Sequence, residues 1–179
     1  MKRVPLLIAV WLSFAPNVFA QANDSNAVFI KPGAIELGLA GTMTIVEGSS
    51  RTTFAIRAGF FTAAPRGLFG FETSLSYSHL NALDWLDVEG ALSWQAKLGK
   101  SAVYPFLALG GGFRQEKLGA FRQLRYPVGA DFGLRALVAP QAAIRVEYKF
   151  RRILHDPVAN FSEHQVLVGL SLLLKNASK

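Results

Sequence analysis

Between Ile144 and Arg151 the chain alternates without a break. Ile144, Val146, Tyr148 and Phe150 are apolar, and Arg145, Glu147, Lys149 and Arg151 are ionised. Successive side chains of an extended strand point to opposite faces, so one face of this segment is oily and the other carries four charges in single file. A face like that needs partners of opposite sign, and the oily face needs a medium other than water.

The same two-residue period runs through most of the chain. Ile35, Leu37, Leu39, Met43 and Ile45 alternate with Glu36, Gly38, Ala40, Thr42 and Thr44; Thr52, Phe54, Ile56, Ala58 and Phe60 alternate with Thr53, Ala55, Arg57 and Gly59. Corresponding runs follow at Phe69–Ser78, Leu86–Leu98, Leu107–Arg114, Val128–Val138 and Gln165–Leu174. Eight strands result, near the ~9–11 residues that a tilted strand needs to cross a bilayer. Mean hydropathy is positive, at +0.27, yet no apolar run after Phe14 is long enough for a spanning helix. Apolar residues spread one in two, with Gly, Ser and Ala on the other face, predict an all-β, eight-stranded, antiparallel up-and-down transmembrane barrel over residues 33–174. Closure removes the free strand edges that hydrocarbon does not tolerate.

Residues 1–20 read as a secretory signal peptide: Lys2 and Arg3, an apolar stretch from Val4 to Phe14, and small residues before a cleavage point after Ala20 or Ala22. Residues 21–32 are expected to form a periplasmic N-terminal segment and 175–179 a C-terminal tail. The chain has no cysteine, which removes disulfides and thiolate metal sites. Its formal charge of +7 falls once Lys2 and Arg3 leave, and no basic cluster is interleaved with aromatics as nucleic acid would require.

Connections are expected to alternate in length. Ala63–Gly67, Gly99–Ser101 and Ala139–Gln141 read as short turns, and Glu47–Arg51, His79–Asp84, Gln115–Tyr126 and Leu154–Glu163 as longer loops on the opposite side. Phe60, Phe61, Phe69, Trp85, Trp94, Tyr104, Tyr126 and Phe150 lie toward strand ends and are expected to form aromatic girdles.

The chain resembles small outer-membrane β-barrels of the OmpA/OmpX type. The resemblance is carried by Val103–Phe113 (VYPFLALGGGF), Gly129–Leu134, Ile144–Phe150 and the closing His164–Leu172. It implies an outer-membrane location, a monomer, contact with outer-membrane lipid and lipopolysaccharide, and insertion by the barrel-assembly machinery. The last strand departs from the family pattern by ending on Leu174 in place of an aromatic residue.

The phase of each strand assigns Glu36, Arg57, Glu72, Asp87, Glu89, Lys97, Arg114, Asp131, Arg135, Arg145, Glu147, Lys149 and Arg151 to the lumen. Acids and bases are nearly balanced there, which predicts ion pairs that fill the interior, since an unpaired buried charge costs several kcal/mol. The alternative is a narrow gated path for ions or small solutes. Lys117, Arg122 and Arg125 are candidates for lipopolysaccharide phosphates. A third reading is a lipid A-modifying acyl hydrolase. It would draw on Ser78 and His79 with His155, Asp156 and His164, but no His is followed two residues on by a Ser. No enzyme activity, cofactor or metal is expected.

Overall fold

A computed structural model of the protein describes residues 29–46, 49–154 and 161–174. The expected signal peptide, the tail and residues 21–28 of the N-terminal segment lie outside the described residues. The strands are β1 (Ile35–Val46), β2 (Ser49–Ala64), β3 (Gly67–Leu80), β4 (Leu83–Ala96), β5 (Val103–Leu118), β6 (Phe121–Ala139), β7 (Ala142–Leu154) and β8 (Phe161–Leu174). Each pairs antiparallel with the next, and β8 returns to β1 to close a barrel.

The period-two pattern sets which way each side chain points. Leu109, Leu170, Leu92 and Leu172 stand outward at 59–65% exposure, whereas Arg135, Glu147 and Arg151 are buried at 0–2%. An exterior of exposed Leu, Phe, Ile and Val that circles the molecule is far larger than any apolar patch that water tolerates on a monomer. It is the surface of a protein solvated by acyl chains.

Register then fits the charges into a narrow interior. Bulky inward residues stand beside small ones on the neighbouring strand: Arg57 beside Gly38 and Ser74, Glu89 beside Gly112, Arg151 beside Gly129, Glu147 beside Gly133, and Arg145 beside Gly169. A Cβ on Gly112 would run into the backbone of Val88 and Glu89, and one on Gly133 into the backbone of Val146 and Glu147. Missing side chains therefore let adjacent strands approach while long ones cross the lumen.

At one end, here called proximal, the inward row turns apolar. Phe61, Leu68, Tyr104, Leu137, Ala143 and Leu173 enclose Ile30 and Ala34 from the segment before β1. The Ile30 amide donates to the Tyr104 hydroxyl at 3.1 Å, and the Gly33 amide to the Phe61 carbonyl at 2.7 Å. The described part of the N-terminal segment is thus packed into the barrel's proximal mouth.

Three expectations are corrected. The Gln115–Tyr126 loop is strand almost throughout, with only Gly119 and Ala120 between β5 and β6; Gly119 adopts a φ of 59° to make the turn. Likewise His79–Asp84 shrinks to Asn81 and Ala82. Polar residues broke the apolar alternation there, but backbone pairing continues without it: Lys117 faces Arg122, and His79 faces Asp84. The girdle assignment also fails for Phe61, Trp85 and Tyr104. They are 0%, 5% and 1% exposed because their phase matches the inward row.

Replacing Gly112 by Ala should destabilise the barrel by about 1–3 kcal/mol through overpacking between β4 and β5. Gly90→Ala, with nothing within 4 Å of the added methyl group, should be nearly silent. Urea unfolding in detergent micelles measures both.

Candidate functional site

Much of the lumen is built from side chains that reach past their neighbours to strands on the far wall. Nearest the proximal mouth, Arg135 of β6 donates to Glu36 of β1 through Nε at 3.2 Å and Nη2 at 2.7 Å, and also to Gln95 of β4. Arg145 of β7 binds Glu72 of β3, and its Nε donates to Glu147 at 2.8 Å. Arg57 of β2 grips Glu147 with both terminal nitrogens, one of them at 2.6 Å. Ser93 donates to Glu72 at 2.7 Å. The Phe61 and Phe106 rings lie beneath these guanidinium groups, with Arg145 4.3 Å from the Phe106 centroid and Arg135 4.9 Å from that of Phe61.

A second group stands higher. Glu89 of β4 accepts from Lys149 at 2.8 Å and from Arg151 at 2.8 and 3.3 Å. Arg151 also holds Asp131 at 2.5 and 3.0 Å. The polar space bordered by Arg57, Glu72, Glu89, Arg145, Glu147 and Arg151 amounts to about 20 Å³. That volume suits a water molecule rather than a hydrated ion.

The third group closes the distal half. Arg114 of β5 binds Asp87 at 2.6 and 3.0 Å and Glu163 of β8 at 2.7 Å; Arg51 of β2 also pairs with Glu163. The Trp85 ring lies between these two arginines, 4.6 Å from Arg51 and 5.3 Å from Arg114. Beside them Gln165 donates to Thr53 at 2.7 Å, and Thr53 shares a 2.7 Å hydrogen bond with Ser78.

Twelve of the thirteen residues assigned to the lumen are found there, and each has a partner of opposite charge. Lys97 is the correction. It lies just past the end of β4 on the exposed proximal turn, with its ammonium 4.0 Å from the Phe29 ring. Two lumenal ions were missed, Arg51 and Glu163, because both were assigned to loops. Their phase was the available signal: Arg51 is in step with Thr53 and Arg57, and Glu163 with Gln165 and Leu167.

The three candidates for anionic lipid separate. Lys117 and Arg122 are exposed and directly opposed across β5 and β6. Arg125, half-buried, pairs with Glu116 at 2.7 Å on the inner side of the hairpin. The Ser78–His79 pair also divides. Ser78 is buried against Thr53, while His79 is exposed with its Nδ1 2.7 Å from Asp84, which accepts from Tyr77 at 2.7 Å as well. His164 lies outside the barrel beside the Tyr148 hydroxyl and the Phe150 ring. His155 and Asp156 fall outside the described residues.

Removing Arg145 would leave Glu72 and Glu147 short of counter-charge in a buried place. Arg145→Ala should therefore cost about 3–5 kcal/mol of unfolding free energy, whereas Lys97→Ala should change it immeasurably. Denaturant titration of refolded protein compares them.

No family model matches the sequence, and no curated protein is similar to it at sequence level. Solved structures do resemble it. Neisserial surface protein A superposes with a TM-score of 0.56 at 13% identity, over 80% of this chain and 98% of that one. The outer membrane enzyme PagL gives 0.48 at 12% identity, over 77% and 97%. The Yersinia pestis outer membrane protein Ail gives 0.47 at 14%, over 79% and 98%. The superposition on the Neisserial protein and the strand topology agree: this chain has the fold of the small eight-stranded transmembrane barrels.

Proposed function

We propose that the protein is a monomeric integral barrel of the outer membrane. In this reading its lumen is occluded by ion pairs, and its role is structural or in surface interaction rather than catalytic. The observation that carries it is the crossing of the lumen by Arg57–Glu147, Arg135–Glu36, Arg145–Glu72 and Arg151–Glu89 at successive heights. An eight-stranded barrel is just wide enough for side chains to fill. Conduction would require several of these pairs to separate together in a medium where separated charges are costly. With the N-terminal segment on the periplasmic side, Ile30 and the apolar ring around it add a second closure at the proximal mouth.

The separation of Ser78 from His79 supports the non-catalytic reading, because a nucleophile and its base must lie within hydrogen-bond reach. On the exterior, Lys117 and Arg122 face each other across two strands, and like charges so placed repel unless an anion sits between them. Asp84, opposite Lys117 on β4, offsets part of that repulsion, and a lipopolysaccharide phosphate or anionic lipid headgroup supplies a further anion at the distal boundary of the apolar belt.

The deciding experiment is single-channel recording of the refolded protein in planar bilayers, beside Arg145→Ala. No resolved openings from the native protein support occlusion. Steady conductance that grows in the variant would reverse the reading in favour of a gated path. Lys117→Glu combined with Arg122→Glu should lower retention on lipopolysaccharide-containing vesicles several-fold, read by flotation at low and high salt.

A further inference from the structure

The eight seams of the barrel are unequal. β1 and β8 are paired from Ile35 opposite Leu174 to Gly41 opposite Val168, a span of seven residues. Every other seam spans twelve or more. Above Gly41, Thr42–Val46 remains paired with Ser49–Thr53 of β2, and Phe161–Leu167 with Glu147–Ile153 of β7. Among the described residues, the two edges that face each other share no ladder above Gly41 and Val168. Edges of this kind present N–H and C=O groups without strand partners, a state that hydrocarbon does not tolerate and an aqueous boundary does.

The inner wall next to this gap differs from the rest of the lumen. Ala40, Ala55 and Leu167 cluster there, below the Gln165–Thr53–Ser78 chain of hydrogen bonds. Among the described residues, the side-chain ties from the distal end of β8 run to strands beyond β1. Glu163 pairs with Arg51 on β2 and, at 2.7 Å, with Arg114 on β5. On the outer face, exposed Arg152, Ser162 and His164 succeed the apolar Val166 and Val168. The gap therefore opens at Val166, the last apolar residue in the outward row of β8, and runs on past the polar His164 and Ser162.

We propose that the distal half of the β1–β8 seam is a lateral slit, a water path from the outer membrane boundary to the Gln165–Thr53–Ser78 wall. Glu163, held by Arg51 and Arg114, is the latch that keeps it narrow. The slit and its latch do not depend on whether the lumen conducts along its axis.

Residue-resolved amide hydrogen exchange in phospholipid nanodiscs tests this. Alternate amides of Thr42–Val46 and Ser162–Leu167, those turned toward the seam, should exchange at least tenfold faster than amides at the centre of the β3–β4 seam. Arg51→Gln, which leaves the Arg114–Glu163 pair in place, should raise those rates several-fold without altering β3–β4. Glu163→Gln should raise them further. Continuing the register sets Thr42 opposite Leu167, and a disulfide between Thr42→Cys and Leu167→Cys, unambiguous in a chain without cysteine, should slow exchange along the slit. Protection of the seam equal to that of β3–β4 would overturn the slit. Rates unmoved by both charge substitutions, with β3–β4 intact, would overturn the latch.

Discussion

Ion pairing across a lumen one side chain wide is the constraint on which the other features depend. Once the outward row must be apolar to meet lipid, the inward row must hold whatever polar groups the sequence carries, and eight strands leave little room for water between them. Arg and carboxylate groups are then stable only as hydrogen-bonded partners. Cross-strand neighbours provide only part of the pairing: Asp87 and Arg114 are directly opposed on β4 and β5, and Asp131 and Arg151 stand on the adjacent β6 and β7. Arg135 and Arg145 are themselves neighbours, and their repulsion is offset by Glu36 and Glu72 reaching in from β1 and β3. The other pairs, Arg57–Glu147, Arg135–Glu36, Arg145–Glu72 and Glu89 with Lys149 and Arg151, come from opposite walls and act as struts between strands with no shared backbone hydrogen bonds.

Struts need free passage, which explains the glycines. Gly112, Gly129, Gly133 and Gly169 each stand beside a long charged residue and let it lie flat across the interior. At the proximal end the same inward row becomes Phe61, Leu68, Leu137 and Leu173, and there the chain before β1 fills the mouth with Ile30 in place of charge. A single alternating pattern thus specifies three materials: an oily exterior, an ionic middle and an apolar stopper.

Much of this was legible in the sequence, because a two-residue period leaves no freedom about which face a residue takes once its strand is identified. Glu36, Arg57, Glu72 and the Arg145–Arg151 row were assigned by phase alone. The losses came where chemistry and backbone part company. Beyond the bilayer, Gln115–Lys117 and Arg122–Gln123 are polar on both faces, so the alternation vanishes while the ladder continues, and the strands looked shorter than they are. Arg51, Glu163 and the inward phase of Arg125 were lost in that way. Lys97 failed in the opposite sense, since it is in phase but lies one residue past the end of its strand. Which acid each base selects was not readable, because it depends on relative strand heights around the closed barrel.

The separation of the paired residues along the chain bears on how fast the barrel forms and falls apart. Arg135 and Glu36 are 99 positions apart, and Arg57 and Glu147 are 90 apart. Loop-closure entropy weighs against contacts so distant until most of the sheet exists. The charges therefore stay hydrated through assembly and exchange water for one another only as the cylinder closes. Interactions that arise after the transition state slow unfolding without hastening folding. The ionic interior is accordingly a source of kinetic persistence: a finished barrel stays finished because opening it means rehydrating every strut at once.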